Sequence, residues 1–188
     1  DIATFTEEYY PQKCGIIFTA TIKDAEAVAK ALKQKHRIKC EFYHGQMAEG
    51  KRNEIQEKWM NDEINVIVAT IAFGMGVNKL DVRFVIHYSF SKSISNYYQE
   101  AGRGGRDGQK AHCVIFYRYG DKRVGQMLNY GNKESTKEMK KENNWECMNM
   151  IKYCENVFNC RREMLLSYFG ERLTKEECAK TCDNCRAG

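Results

Sequence analysis

Five short runs of strand character, separated by helical stretches, constrain this chain more than any other feature. Cys14–Ala20 (CGIIFTA), Ile64–Thr70 (INVIVAT), Val82–His87 (VRFVIH) and His112–Tyr117 (HCVIFY) are largely apolar, whereas Ile38–Tyr43 (IKCEFY) alternates. Strands covered on both faces read as apolar runs of this kind. Between them, Lys23–Leu32 has helical spacing through Ala25, Val28, Ala29 and Leu32. Ala48–Trp59 reads as a surface helix and Ser93–Glu100 as another. Strands alternating with helices predict an α/β lobe with a parallel sheet of βαβ units. Ligands on such sheets sit at the carboxyl ends of strands, so loops just after strands are the first candidates for chemistry.

Past Tyr119 the pattern changes. Val124, Met127 and Leu128 have helical spacing, Gly131–Asn144 is polar and charge-rich, a linker or exposed helix–loop, and Trp145–Cys154 and Arg161–Phe169 read as helices. We place the boundary near residue 118, giving a sheet lobe over 1–118 and a small, mainly helical subdomain over 119–188. A chain of 188 residues accommodates one medium domain with such an appendage. With 43% hydrophobic residues, disorder is excluded. No run approaches the roughly 20 apolar residues of a membrane span. Asp1–Glu8 has neither the basic start nor the apolar run of a secretory signal, and the missing initiator Met fits a piece of something longer. The net charge of +5 permits nucleic-acid binding without requiring it.

Nine cysteines without a secretory signal point to metal or free thiols, and six of them, from Cys147 onward, crowd the second part. The spacing Cys178-x3-Cys182-x2-Cys185 lets thiolates share one tetrahedral zinc without straining the backbone. Spacing leaves the fourth ligand open between Cys160 and Cys154, with Cys147 a third choice. Four thiolates leave no open position, so the zinc would be structural.

The segment Gln99–Gly108 (QEAGRGGRDG) sets Arg103 and Arg106 three residues apart among four glycines. Guanidinium forks fit phosphate oxygens, and glycines let the backbone approach. The alternative is a plain exposed basic turn. Ala69–Asn78 follows a strand, is rich in small residues, and can offer backbone N–H groups to a phosphate. His87 and His112 fit satisfied core positions, His44 beside Gly45 is the better functional candidate, and Trp59 and Trp145 read as packing residues. Arg161 and Arg162 either lie along a helix or touch phosphates.

ATIAFGMGVNK, DVRFVIHYS and YYQEAGRGGRDG resemble motifs V and VI of superfamily 2 helicases. CENVFNCRRxxLLxYFGE with a terminal CxxxCDNC resembles the RecQ family specifically, and GIIFTATIKDAEAVAKAL and EFYHGQM are similar to its motif IV and the following block. The resemblance runs from about Gly15 to Cys185. It implies the second RecA-like lobe of an ATP-dependent 3′–5′ DNA helicase, followed by a zinc-binding subdomain. By match, Gln99, Arg103 and Arg106 face ATP bound by the first lobe, with Arg106 the arginine finger. Gly76 and Asn78 of motif V approach the nucleotide, and Thr70 and Tyr43-His44-Gly45 contact the DNA backbone. The zinc ligands carry over as Cys160, Cys178, Cys182 and Cys185. The implied partners are DNA, single-stranded or at duplex junctions, and the first lobe, with ATP and Mg²⁺ bound only together with that lobe. An intracellular protein is implied, nuclear in a eukaryote. Family members usually carry Asp at position 78, Pro at 80 and Ala or Thr at 104, where this chain has Asn78, Leu80 and Gly104. Neither Gly-Lys-Ser/Thr nor Asp-Glu-x-His occurs, so the isolated chain is expected to be inactive. The rival reading is a non-enzymatic, zinc-stapled module that docks DNA or protein.

Overall fold

The computed structural model describes residues 2–70, 73, 78–121 and 136–187. The chain divides into two compact units, Asp1–Ser89 with Gln99–Tyr117, and Phe90–Tyr98 with Arg118–Gly188. Segment 90–98 therefore groups with the second unit rather than with the sheet lobe. Among the described residues no helix is long and apolar enough to cross a membrane.

The first unit holds β1 (Gly15–Phe18), β2 (Cys40–Tyr43), β3 (Val66–Ala69), β4 (Phe84–His87) and β5 (His112–Ile115). They form one parallel sheet in the order β2-β3-β1-β4-β5. Side-chain alternation splits the apolar residues between two faces. Ile16, Phe18, Ile67, Ala69 and Val85 join Trp59, Ile55 and Phe73 on one face. Ile17, Val66, Val68, Phe84 and Ile86 meet Ala25, Ala29 and Leu32 on the other. The first core is covered by α3 (Glu49–Met60) and the second by α1 (Ile2–Tyr9) and α2 (Ile22–His36).

Local chemistry sets the helix ends. Thr21 caps α2, its hydroxyl accepting from the Asp24 N–H at 3.1 Å, and Arg37 closes it in the left-handed region at φ 54°. Helix α1 was not singled out in the sequence, because at eight residues it is too short to show a repeating apolar period. Strand β5 is not buried as its apolar run predicts. It lies at the sheet edge, half-exposed, and His112 bonds the Tyr10 hydroxyl at 2.8 Å. His87 is a buried core histidine, its Nε2 2.8 Å from Glu100 Oε2.

Gly15 shows how tightly the sheet is filled, since a Cβ there would lie 2.1 Å from the Phe84 ring. Gly15→Ala must displace a ring that is wholly buried, and overpacking of this kind costs about 1–3 kcal/mol. The chemical-denaturation midpoint should fall accordingly, with the m-value unchanged.

The second unit contains α5 (Lys137–Glu155), α6 (Arg161–Tyr168), α7 (Lys175–Cys178) and α8 (Asp183–Ala187), with α4 (Ile94–Ala101) straddling the two units. Cys147, Met150, Ile151 and Tyr153 are the buried face of α5. This helix starts earlier than the apolar pattern predicts, because Thr136 caps it by accepting from the Met139 N–H at 3.2 Å. Residues 131–135 of the polar stretch, and the helix expected at Val124, Met127 and Leu128, lie outside the described residues. Trp59 is buried as expected. Trp145 is not, being 58% exposed with its ring 6.3 Å from Tyr168.

Candidate functional sites: an arginine turn and a four-cysteine cluster

The residues singled out in the first unit occupy opposite ends of the sheet. His44 and Gly45 follow β2, and Thr70 follows β3, at the carboxyl end. The Thr70 N–H donates to the Tyr43 carbonyl at 3.2 Å, so these two loops are tied together. The Tyr43 side chain belongs to the core and packs edge-on to Phe73. His44 is buried, stacks on Phe42 at 5.6 Å and places Nε2 3.4 Å from Glu26 Oε1.

The arginine segment follows α4, not a strand, and therefore lies at the amino end of β4 and β5. The Gly105 N–H donates to the Val82 carbonyl at 2.9 Å, and the Asp107 N–H to the Leu80 carbonyl at 3.2 Å. Gly105 is required here, with φ at 67° and any Cβ falling 2.6 Å from the Gln109 carbonyl. Arg103 is half-buried and Arg106 exposed. Burial, and then the neighbouring Arg106 charge, lower the proton affinity of Arg103, against an opposing pull from Glu100. Arg106 Nε donates to the Gly102 carbonyl at 3.3 Å and Nη1 to Asn78 Oδ1 at 3.2 Å. Gln99 is exposed at the end of α4, and Gly76 lies outside the described residues.

Thr70 lies at the carboxyl end of the sheet, whereas Asn78 meets Arg106 at the amino end. Beside Asn78, the buried Lys79 Nζ donates to Asp62 at 2.8 Å and to the Met60 carbonyl at 3.3 Å, and lies 5.7 Å above the Trp59 ring. Sequence patterning did not single out Lys79, Arg83 or Asp107. Arg83 Nη2 donates to Asp107 at 2.6 Å, and this bond, with one from the Gln109 N–H, holds the Asp107 carboxyl below its ordinary range. Their pairing joins residues far apart in the chain, which no local pattern records.

In the second unit the four sulfurs of Cys160, Cys178, Cys182 and Cys185 lie within 4.8 Å of one another. Cys182 Sγ is 3.9 Å from Cys160 Sγ. Tetrahedral zinc with Zn–S near 2.3 Å separates its sulfurs by about 3.8 Å, so the donor set fits that ion. Cys154 stands outside the cluster, which decides between the two spacings the sequence left open. Between Cys178 and Cys182 the chain doubles back through Ala179 and Lys180, at φ 48° and 53°. The Cys185 N–H points at Cys182 Sγ at 3.4 Å, a contact that stabilises a thiolate. Arg161 forks onto Asp183 at 3.0 and 3.1 Å, donates to the Tyr153 carbonyl and stacks over the Tyr153 ring, so it is a structural brace. Arg162 is exposed and donates to Thr181 Oγ1 at 3.3 Å.

A parallel RecA-like sheet with an arginine turn at one end, joined to a helical unit with a four-cysteine cluster, defines the carboxyl half of a helicase core. The helicase conserved C-terminal domain matches residues 2–108, and the RecQ zinc-binding family matches 119–186. This chain belongs to the RecQ family of helicases. It is 45% identical to ATP-dependent DNA helicase Q-like 4B of Arabidopsis thaliana over 98% of its length, covering 17% of that relative. It is 43% identical to RecQ-like DNA helicase BLM of Xenopus laevis over 98% of its length, covering 14% of that protein. The chain thus spans under one fifth of both curated relatives. Its fold also matches Mss116p DEAD-box helicase domain 2 bound to an RNA duplex, with TM-score 0.58 and 22% identity over 75% of this chain and 59% of that one.

Proposed function

We propose that this chain is the second lobe of an ATP-driven 3′–5′ DNA helicase motor. The single observation that carries the reading is the turn that bears Arg103 and Arg106, three residues apart, and is fastened to the amino end of the sheet. Guanidinium forks on one turn suit the several phosphate oxygens of a nucleotide polyphosphate.

In this reading ATP and Mg²⁺ are held by a first lobe. Arg106 is the arginine finger and stabilises the charge that develops on the transferred γ-phosphoryl group. Arg103 adds positive potential from its half-buried position, Gln99 lies beside the same rim, and Asn78 holds the Arg106 guanidinium with a neutral acceptor. Thr70, His44 and Gly45, at the other end of the sheet, contact the DNA backbone. Thr70 and Asn78 are near neighbours in the sequence, so strand-contacting and nucleotide-facing residues follow closely along the chain. Cys160, Cys178, Cys182 and Cys185 hold a structural zinc that staples α6, α7 and α8; with four thiolates on the ion, no position is left for a reacting water.

The test is direct. The purified 188-residue chain lacks the phosphate-binding lysine loop and the magnesium-binding acids, and should show no DNA-stimulated ATP hydrolysis. Measurable turnover from it would overturn the view that it supplies half of a pocket.

A further inference from the structure

We infer that Arg83 and Asp107 form a clamp that positions Arg106 for the nucleotide, an inference that rests on the reading above. Arg106 is exposed, so where its guanidinium can reach depends strongly on the backbone turn that carries it. Arg83, with its side chain 13% exposed, spends all three guanidinium nitrogens on that turn and its surroundings. Its Nε donates to the Asp81 carbonyl at 2.9 Å, its Nη1 to the Lys110 carbonyl at 3.3 Å and its Nη2 to Asp107 Oδ2 at 2.6 Å. Asp107 is the residue directly after Arg106, and its other oxygen accepts from the Gln109 N–H at 3.0 Å. One side chain therefore bridges the strand leading into β4, the turn itself and the strand leading into β5.

The chemistry separates two jobs. Arg83 is matched to a carboxylate and is structural. The two partners seen for Arg106, the Gly102 carbonyl and the Asn78 amide, are neutral, so moving its guanidinium onto a phosphate breaks no ion pair with them. Placing the carboxylate one residue later gives the turn an anchor on Arg83. An ion pair this close to the surface contributes little to global stability. Its loss should show in the geometry of Arg106 rather than in folding.

The experiment uses the longer polypeptide carrying both lobes, with R83K, D107N and R106A. R83K keeps the charge but cannot span three acceptors, and D107N keeps the shape but not the charge. The readout is affinity for ADP with aluminium fluoride, which mimics the transferring phosphoryl group, against affinity for ADP alone. A clamp that only supported folding would change the fraction of binding-competent protein, not the dissociation constant. Both clamp variants should bind ADP–aluminium fluoride roughly tenfold more weakly, with ADP affinity and melting temperature essentially unchanged. If R106A weakens the analogue but R83K and D107N do not, the clamp is refuted and the nucleotide reading stands. If R106A leaves the analogue's affinity unchanged, the nucleotide reading falls and the clamp falls with it.

Discussion

Replacing Arg106 by alanine in the two-lobe polypeptide lowers the turnover of DNA-stimulated ATP hydrolysis by roughly 10³-fold, while DNA affinity changes little. The size follows from what the guanidinium meets. In the ground state it costs little to hold, being exposed and bonded to a carbonyl and an amide. Against the γ-phosphoryl group, in a cleft closed to water, the same charge acts in a medium of low dielectric constant, where it is worth far more. DNA affinity is expected to persist because the proposed strand contacts, His44, Gly45 and Thr70, lie at the far end of the strands from Arg106. Steady-state kinetics and a binding titration on the same preparation separate the two effects. A non-enzymatic docking module predicts the reverse, with ATPase barely altered.

Removing zinc unfolds the second unit and leaves the first folded. The two sheet cores draw none of their residues from the cysteine cluster, and each is built from long apolar side chains. The cluster, by contrast, has among the described residues only Leu173 packed against it as a hydrophobic neighbour. α7 and α8, each five residues or fewer, cannot persist without an external constraint. Metal binding in small sites supplies about 10 kcal/mol or more, enough to decide their folding. Titration with a strong chelator should remove helical signal and the protease resistance of residues after about 145, with the sheet retained. C160S should lose the metal and C154S should keep it, as measured by zinc content per chain. A thermal melt indifferent to chelation would contradict the assignment.

Much of the fold was legible because its signals are local. The apolar runs at Ile16–Phe18, Val66–Ala69 and Phe84–His87 are what two-sided burial demands, and all three are fully buried in the sheet. Strand β5 has a similar run and is half-exposed, because an apolar pattern records preference for burial but not position in the sheet order. The start of α5 was missed for the opposite reason, since a capped polar helix carries no apolar period. For the cysteines, spacing alone could not choose between Cys160 and Cys154. Three-dimensional convergence does, and the same choice follows from the RecQ resemblance. The arginine pair was visible as an unusual composition. Its location at the amino end of the sheet was not, because the carboxyl-end rule describes loops that follow strands, and this turn follows a helix. Arg83 and Asp107 were invisible because their significance lies in a long-range bond.

The most direct measurement is the position of the Arg106 guanidinium in the two-lobe polypeptide bound to ADP and aluminium fluoride. The account predicts a crystal structure with that guanidinium at hydrogen-bonding distance from the fluoride that replaces the γ-phosphoryl oxygens, its contact with Asn78 broken or shared, and Arg83 still on Asp107. A closed, nucleotide-filled cleft in which Arg106 faces solvent and another cation meets the fluoride would contradict it.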